Sequence, residues 1–147
     1  MSSRNQISRA TTLMVRDTCV CLHLQRAARA VARRFDAALR PHGLTNGQFS
    51  LLMSLNRPDP PTIGSVAELL ALDRTTVTAA LKPLVRRGLV KVAADPADKR
   101  SRRLVLTPAG RGRLIAALPS WRGTHAALDD MLSRGPDELR AALNGLS

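Results

Sequence analysis

The stretch that most restricts the fold runs from Thr62 to Leu106, where helix-start and helix-stop residues stand so close together that only short elements fit. Thr62, or the Ser65 and Glu68 pair one turn later, is placed to cap a helix reaching about Leu70. Ala71, Leu72 and Asp73 then turn the chain. Asp73 suits the N-cap of a further helix from Arg74 to Arg87, which Gly88 ends. Two short helices joined by a tight turn form a helix-turn-helix arrangement. Beyond it, β-favouring residues Leu89 to Val92, the charged segment ADPADKRSR and Leu104 to Leu106 predict a two-stranded hairpin with a basic tip, a wing.

The flanks read as helices. From Asp17 to Leu39, the apolar residues Val20, Leu24, Ala28, Val31, Phe35 and Leu39 recur at helical spacing, with Arg26, Arg29, Arg33 and Arg40 on other faces. One long helix is expected, capped by Asp17 or Thr18 and ended by Pro41 and Gly43. Thr45 with Gln48 forms a capping box, and Leu44 with Phe49 a hydrophobic staple, for a helix from Asn46 to about Leu55. RPDPP is stiff loop, with a short edge strand near Thr62. Thr107 and Pro108 start another helix, whose series Leu114, Leu118, Trp121, His125, Leu128 and Leu132 runs through Pro119, a kink. Gly135 and Pro136 precede a last helix bearing Leu139, Leu143 and Leu146. The expected fold is mainly α with a small β-wing (α+β), in which helices at 17–41 and 107–147 flank a lobe at 45–106. The flanking helices would expose apolar faces, which a second copy covers economically.

Charge narrows the partner. The chain carries a formal +12, which favours a polyanion. Arg74, Lys82, Arg86, Arg87, Lys91, Lys99, Arg100, Arg102, Arg103, Arg111 and Arg113, eleven cations, face two carboxylates, Asp95 and Asp98, so +9 of the +12 lies between 74 and 113. With two phenylalanines, one tryptophan and no tyrosine, stacking platforms for single strands are scarce, which places duplex DNA ahead of RNA. No apolar run approaches the roughly 18 residues of a membrane span, and the N-terminus lacks the apolar core of a signal peptide. A cytoplasmic protein with no membrane partner is expected. Cys19 and Cys21 are too few for a disulfide framework, in keeping with a reducing compartment.

In a helix beginning at Arg74, residues 74, 75, 78 and 82 lie along one side, and Val77, Leu81, Leu84 and Val85 lie opposite, toward the core. The short hydroxyls of Thr75, Thr76 and Thr78 suit base edges; Lys82 and Arg86 suit phosphates. A solvated surface helix has the same pattern, so the wing decides. A hairpin tip reading Asp98, Lys99, Arg100, Ser101, Arg102, Arg103 has no packing role for so many cations, and a narrow minor groove concentrates the potential that attracts an inserted Arg. Asp98 is placed to orient Arg100 through a charge-assisted hydrogen bond.

The run TIGSVAELLALDRTTVTAALKPLVRRGLV followed by DPADKRSRRLVLTPAG, within residues 62 to 110, resembles the MarR family of transcriptional regulators. The resemblance implies a single MarR-type domain over 1–147 and a homodimer built from the terminal helices. It places a recognition helix at 74–87 in the major groove of a pseudo-palindromic operator, and Arg100 of the wing, supported by Asp98, in the adjacent minor groove. It also implies a repressor released by a small-molecule effector in the cleft between the dimerisation helices and the DNA-binding lobe. Ala79 and Val92 depart from the family, which often has Arg and a basic residue there, so base preference is not carried over. Pro83 forgoes a backbone bond toward Ala79 and should bend its helix.

Cys21 resembles the reactive cysteine near the start of the first helix in the organic-hydroperoxide-sensing branch. That branch surrounds its thiol with tyrosines; this chain has none, and Phe35 occupies one such position. Packing, redox sensing and, with His23, metal binding stay open for Cys19 and Cys21. On a helix, residues two apart point about 200° apart, which disfavours a disulfide within one chain and leaves an intersubunit one open; alternating metal ligands suit a strand or loop better. His125, beside Trp121, reads as a satisfied interface histidine. No nucleophile, base and orienting group form a catalytic arrangement, so neither an enzyme, a metal nor a cofactor is expected. Two other function classes remain: a thiol-based redox regulator using Cys21, and a non-specific architectural nucleic-acid-binding protein.

Overall fold

The computed structural model describes residues 6–147 and divides into two compact units, Met1–Arg34 and Phe35–Ser147. Residues 1–5, the start of the segment tested for a signal peptide, lie outside the described residues.

In the first unit, α1 (Arg9–Thr18) precedes α2 (Val20–Leu39), which continues into the second unit. The single helix expected from Asp17 is therefore two. Asp17 and Thr18 do not cap α2: they close α1, Asp17 pairing with Arg16 at 2.6 Å and the Thr18 hydroxyl donating to the Met14 carbonyl at 2.8 Å. The cap is Cys19, whose backbone is extended (φ −69°, ψ 107°) and whose Sγ accepts the Leu22 N–H at 3.5 Å, where a serine oxygen usually stands. No proline or glycine marks this break. The local signal is the weak helix propensity of Thr18, Cys19 and Val20.

The second unit opens on the end of α2, where Phe35 and Leu39 are buried. A 3₁₀ turn over Arg40–His42 ends at Gly43 in the left-handed region (φ 67°). Next come α3 (Asn46–Ser54), capped by the Thr45–Gln48 box, and α4 (Ile63–Leu70), capped by Thr62. Ala71 adopts a left-handed conformation (φ 52°), and Asp73 caps α5 (Arg74–Arg86). Strands β1 (Val90–Ala94) and β2 (Arg102–Leu106) pair antiparallel from Val90 with Leu106 to Ala94 with Arg102. Both are longer than expected, because Ala93 and Ala94 are weak strand formers and Arg102 and Arg103 read as tip. An isolated bridge joins Thr62 to Arg103, and the Leu104 N–H donates to the Pro61 carbonyl at 2.9 Å, which is the expected edge pairing near Thr62.

Helix α6 (Pro108–Asp130) starts at Thr107, whose hydroxyl accepts the Gly110 N–H at 3.0 Å and donates to the Gly88 carbonyl at 2.7 Å. It passes through Pro119 and stops at Asp130, short of Leu132. In its first half Leu114 and Ala117 are buried and belong to the core. Helix α7 (Pro136–Asn144) buries no residue. Leu39, Leu52, Val66, Val77, Leu84, Leu89, Val90 and Leu104 are the most completely enclosed side chains, so the core lies beneath α5 and the wing and fixes both. Trp121 extends it, stacked on Phe49 at 6.0 Å. Val85, expected inward, is exposed: Val77, Leu81 and Leu84 already fill the buried stripe of α5.

Candidate nucleic-acid interface

The N-terminus of α5 is set by Asp73, whose Oδ1 accepts the Thr76 N–H at 2.7 Å. That bond holds the Asp73 carboxyl below the ordinary aspartate value and keeps it ionised. From this start, Arg74, Thr75, Thr76, Thr78, Lys82 and Arg86 are all exposed. The Thr78 hydroxyl donates to the Arg74 carbonyl at 2.8 Å, so it faces outward as an acceptor. Asp98, Lys99, Arg100 and Arg102 are likewise exposed at the wing.

The eleven cations of 74–113 separate into two groups. Arg87 donates to the Gly43 carbonyl at 2.7 Å and Arg113 to the His42 carbonyl at 3.0 Å, so two guanidiniums close the C-terminal end of the 3₁₀ turn. Arg111 donates to Asn56 Oδ1 at 2.7 Å. Arg103 pairs with Asp95 at 3.0 Å and reaches the Pro60 carbonyl at 3.0 Å. These four are structural, which corrects the expectation for Arg103: it lies in β2 opposite Ala93 rather than at the tip, and there it does have a packing role. The side chains of Arg74, Lys82, Arg86, Lys91, Lys99 and Arg100 make no hydrogen bond or ion pair among the described residues, and Arg102 folds onto the Lys99 and Ser101 carbonyls of its own tip.

Asp98 does act on Arg100, but through the backbone: Oδ1 accepts the Arg100 N–H at 3.0 Å and leaves the guanidinium unengaged. A side chain this short, two residues away, reaches the nearer amide in an Asx turn. The carboxylate that sequence reasoning missed is Asp95. It is 8% exposed, accepts the Ala97 N–H at 2.9 Å and holds Arg103. The Ala97 amide first, and the Arg103 guanidinium after it, keep its carboxyl below the ordinary aspartate value. Asp95 thus stabilises the wing above about pH 4, and that contribution disappears as pH falls through its lowered value. Asp95→Asn is expected to lower Tm at pH 7 and to shrink the loss of Tm on acidification to pH 3, both read by thermal unfolding.

The cysteines stand at the α1–α2 break, Cys19 half-buried and Cys21 exposed, both as thiols. Since Cys19 is not helical, the directional objection to an intrachain pair does not apply. The described residues hold no cluster of three His, Cys, Asp or Glu side chains able to take a metal, and His23 Nδ1 instead lies 2.7 Å from the Cys19 carbonyl. His125 Nδ1 lies 3.2 Å from Asp129 Oδ2, with its ring 4.9 Å from Trp121. No described helix is long and apolar enough to cross a membrane.

This geometry has close parallels. The MarR family model matches residues 44–101, from the capping box of α3 through the wing tip. The transcriptional regulator MosR of M. tuberculosis, solved in complex with DNA, is 38% identical with a TM-score of 0.80, over 87% of this chain and 92% of that one. The chain belongs to the MarR family. Among curated relatives of the MarR-type chain, the HTH-type transcriptional regulator TtmR of Methylorubrum extorquens is 33% identical over 133 residues, 89% of this chain, which spans 65% of that relative's length. The transcriptional repressor CouR, a protein of Rhodococcus jostii solved on a 23-mer DNA duplex, is 32% identical with a TM-score of 0.73, over 86% of this chain and 89% of that one. In MarR terms the fold is a winged helix-turn-helix, with α4 and α5 as its two helices and β1–β2 as its wing, and the family is one of DNA-binding transcription factors rather than enzymes.

Proposed function

We propose that this MarR-family chain is a homodimeric, sequence-specific repressor that binds a pseudo-palindromic duplex operator and is released by a small-molecule effector. The observation that carries the reading is the set of cations on α5 and the wing, Arg74, Lys82, Arg86, Lys99 and Arg100, whose side chains make no hydrogen bond or ion pair among the described residues, on exposed positions set by the buried core. With α5 in the major groove, Thr75, Thr76 and Thr78 face base edges, Lys82 and Arg86 cross phosphates, and Lys99, Arg100 and Arg102 take the adjacent minor groove. The repressor role is favoured by the likeness to CouR, itself a repressor on DNA. Exposed apolar residues favour a second copy as partner: Met14, Val15, Val20 and Leu24 in the first unit, and Met131, Leu139, Leu143 and Leu146 in the second. An effector releases such a dimer by binding a DNA-incompetent arrangement better than the competent one.

Competition in a mobility-shift series tests this. A labelled duplex from the protein's own promoter should be displaced by unlabelled copies of itself far more readily than by random duplex. Equal displacement would mean a non-specific architectural protein.

The helix break favours a second reading, a thiol switch. Peroxide would oxidise Cys19 and Cys21 to a disulfide, two thiols giving up two electrons and two protons while peroxide is reduced to water, and the α1–α2 junction would be re-shaped. Peroxide should then weaken DNA binding by the parent and leave Cys21→Ser insensitive; a Cys21→Ser variant as sensitive as the parent removes this reading.

A further inference from the structure

A groove between the start of α4, the first turns of α5 and the wing tip is lined by Arg74, Thr78, Arg100, Arg102, Thr62 and Gly64. Three arginines from two segments, Arg74 of α5 and Arg100 and Arg102 of the wing, are part of the lining, and no carboxylate is. Cations brought together repel one another, and an anion between them relieves that repulsion. Arg74 is held in place by an absence. A Cβ on Gly64 would stand 2.7 Å from Arg74 Nη2, 3.1 Å from Cζ and 3.4 Å from Nε, so the guanidinium lies across the bare backbone of α4. Arg102 is held through its bonds to the Lys99 and Ser101 carbonyls at 3.2 and 3.3 Å. The Thr78 proton is engaged by the Arg74 carbonyl, so that hydroxyl meets the groove as an acceptor.

We propose that this groove seats one backbone phosphate of the DNA duplex, and that Gly64 presets Arg74 for it. The proposal rests on the DNA-binding reading above and revises it at two residues: Arg74, on the base-facing side of α5 by helical position, and Arg102, given to the minor groove above, are turned to a phosphate, while Arg100 keeps the minor groove. A guanidinium meets two phosphate oxygens through parallel N–H bonds, and two of them, Arg74 and Arg102, flanking one site suit a tetrahedral oxyanion better than a planar base edge. A phosphodiester and free inorganic phosphate share that chemistry. The duplex is the source, because the groove runs into Arg100 at the exposed wing tip.

Binding of the full chain to its own promoter duplex and to random duplex, followed across about 50 to 200 mM salt, tests the assignment. Arg74→Ala should weaken both duplexes alike, by about tenfold, and make the log–log salt slope shallower by about one. Gly64→Ala should lose several-fold in affinity while its Tm stays equal or rises, since alanine favours the helix and the displaced atoms end a flexible side chain. That opposition of signs excludes a general loss of fold. An Arg74→Ala variant with the parent's slope but an altered preference between the duplexes would make Arg74 a base reader and overturn the proposal. So would Gly64→Ala binding as the parent does. Millimolar inorganic phosphate that raises the Tm of the parent but not of Arg74→Ala, with duplex binding equal in both, would assign the groove to a small anion instead. If the parent does not prefer its own promoter, the repressor reading fails, while the phosphate seat is still decided by the slopes on random duplex.

Discussion

Gly110→Ala is expected to destabilise the protein by about 3 kcal/mol, a fall in Tm on the order of 10 °C in thermal unfolding. Helix propensity predicts the opposite, since glycine inside a helix costs about 1 kcal/mol relative to alanine. Close approach decides the sign. A Cβ at Gly110 would overlap the Leu89 carbonyl and stand 2.8 Å from Leu106 Cδ1. Neither neighbour is able to yield: Leu89 is 2% exposed, its carbonyl also accepts the Thr107 N–H at 3.2 Å, and Leu106 is buried in the register of β2. Accommodating the methyl means moving the start of α6 away from β1 and breaking the Thr107 cap that joins them. Gly112, two residues on, has nothing within 4 Å of its would-be Cβ, so Gly112→Ala should keep or raise Tm by up to about 1 kcal/mol in equivalent stability. A Gly110→Ala protein as stable as Gly112→Ala would show that this junction is not close-packed.

Arg100→Ala is expected to lower affinity for promoter duplex by about ten- to a hundredfold, with Tm unchanged. The side chain is exposed and makes no intrachain bond, so nothing in the fold depends on it; its backbone N–H, which the substitution keeps, is the group Asp98 holds. A hydrogen bond from a charged donor contributes about 1.5–3 kcal/mol, and a narrow minor groove adds to it through its concentrated potential. Arg103→Ala is the informative contrast. Three residues away and of the same type, Arg103 ties β2 to Asp95 and to the Pro60 carbonyl, so its loss should appear first as a lower Tm. If both variants behave alike in both measurements, the division of wing arginines into DNA-facing and structural is wrong.

What could be read from the sequence follows how local each determinant is. The caps at Thr45, Thr62, Asp73 and Thr107 were legible because each bonds an amide three residues on. The break at Cys19 was not: the helical spacing of Val20, Leu24 and Ala28 begins only after it, and no proline or glycine marks it. Val85 sits one position beyond a stripe that three other residues already fill. On the site, the six cations expected to face DNA are all exposed, because residues without an acidic neighbour on a hairpin tip or polar helix face have nowhere else to go. Asp95 with Arg103 was missed because they meet only once the hairpin register sets Ala93 opposite Arg103, and Gly64 with Arg74 because α4 and α5 must first pack together. Non-local contacts of that kind leave no periodic trace.

We propose α5 and the wing as the DNA-facing surface of this MarR-family protein. Amide chemical shifts of the isotope-labelled chain, titrated with its promoter duplex, test it most directly. The shifts should concentrate at 62–65, 73–79 and 97–103, and leave His23 to Arg33 unmoved, although that stretch of α2 also gathers His23, Arg26, Arg29 and Arg33 on one open, basic face. Shifts centred on His23 to Arg33, with 73–79 and 97–103 unchanged, would contradict the account.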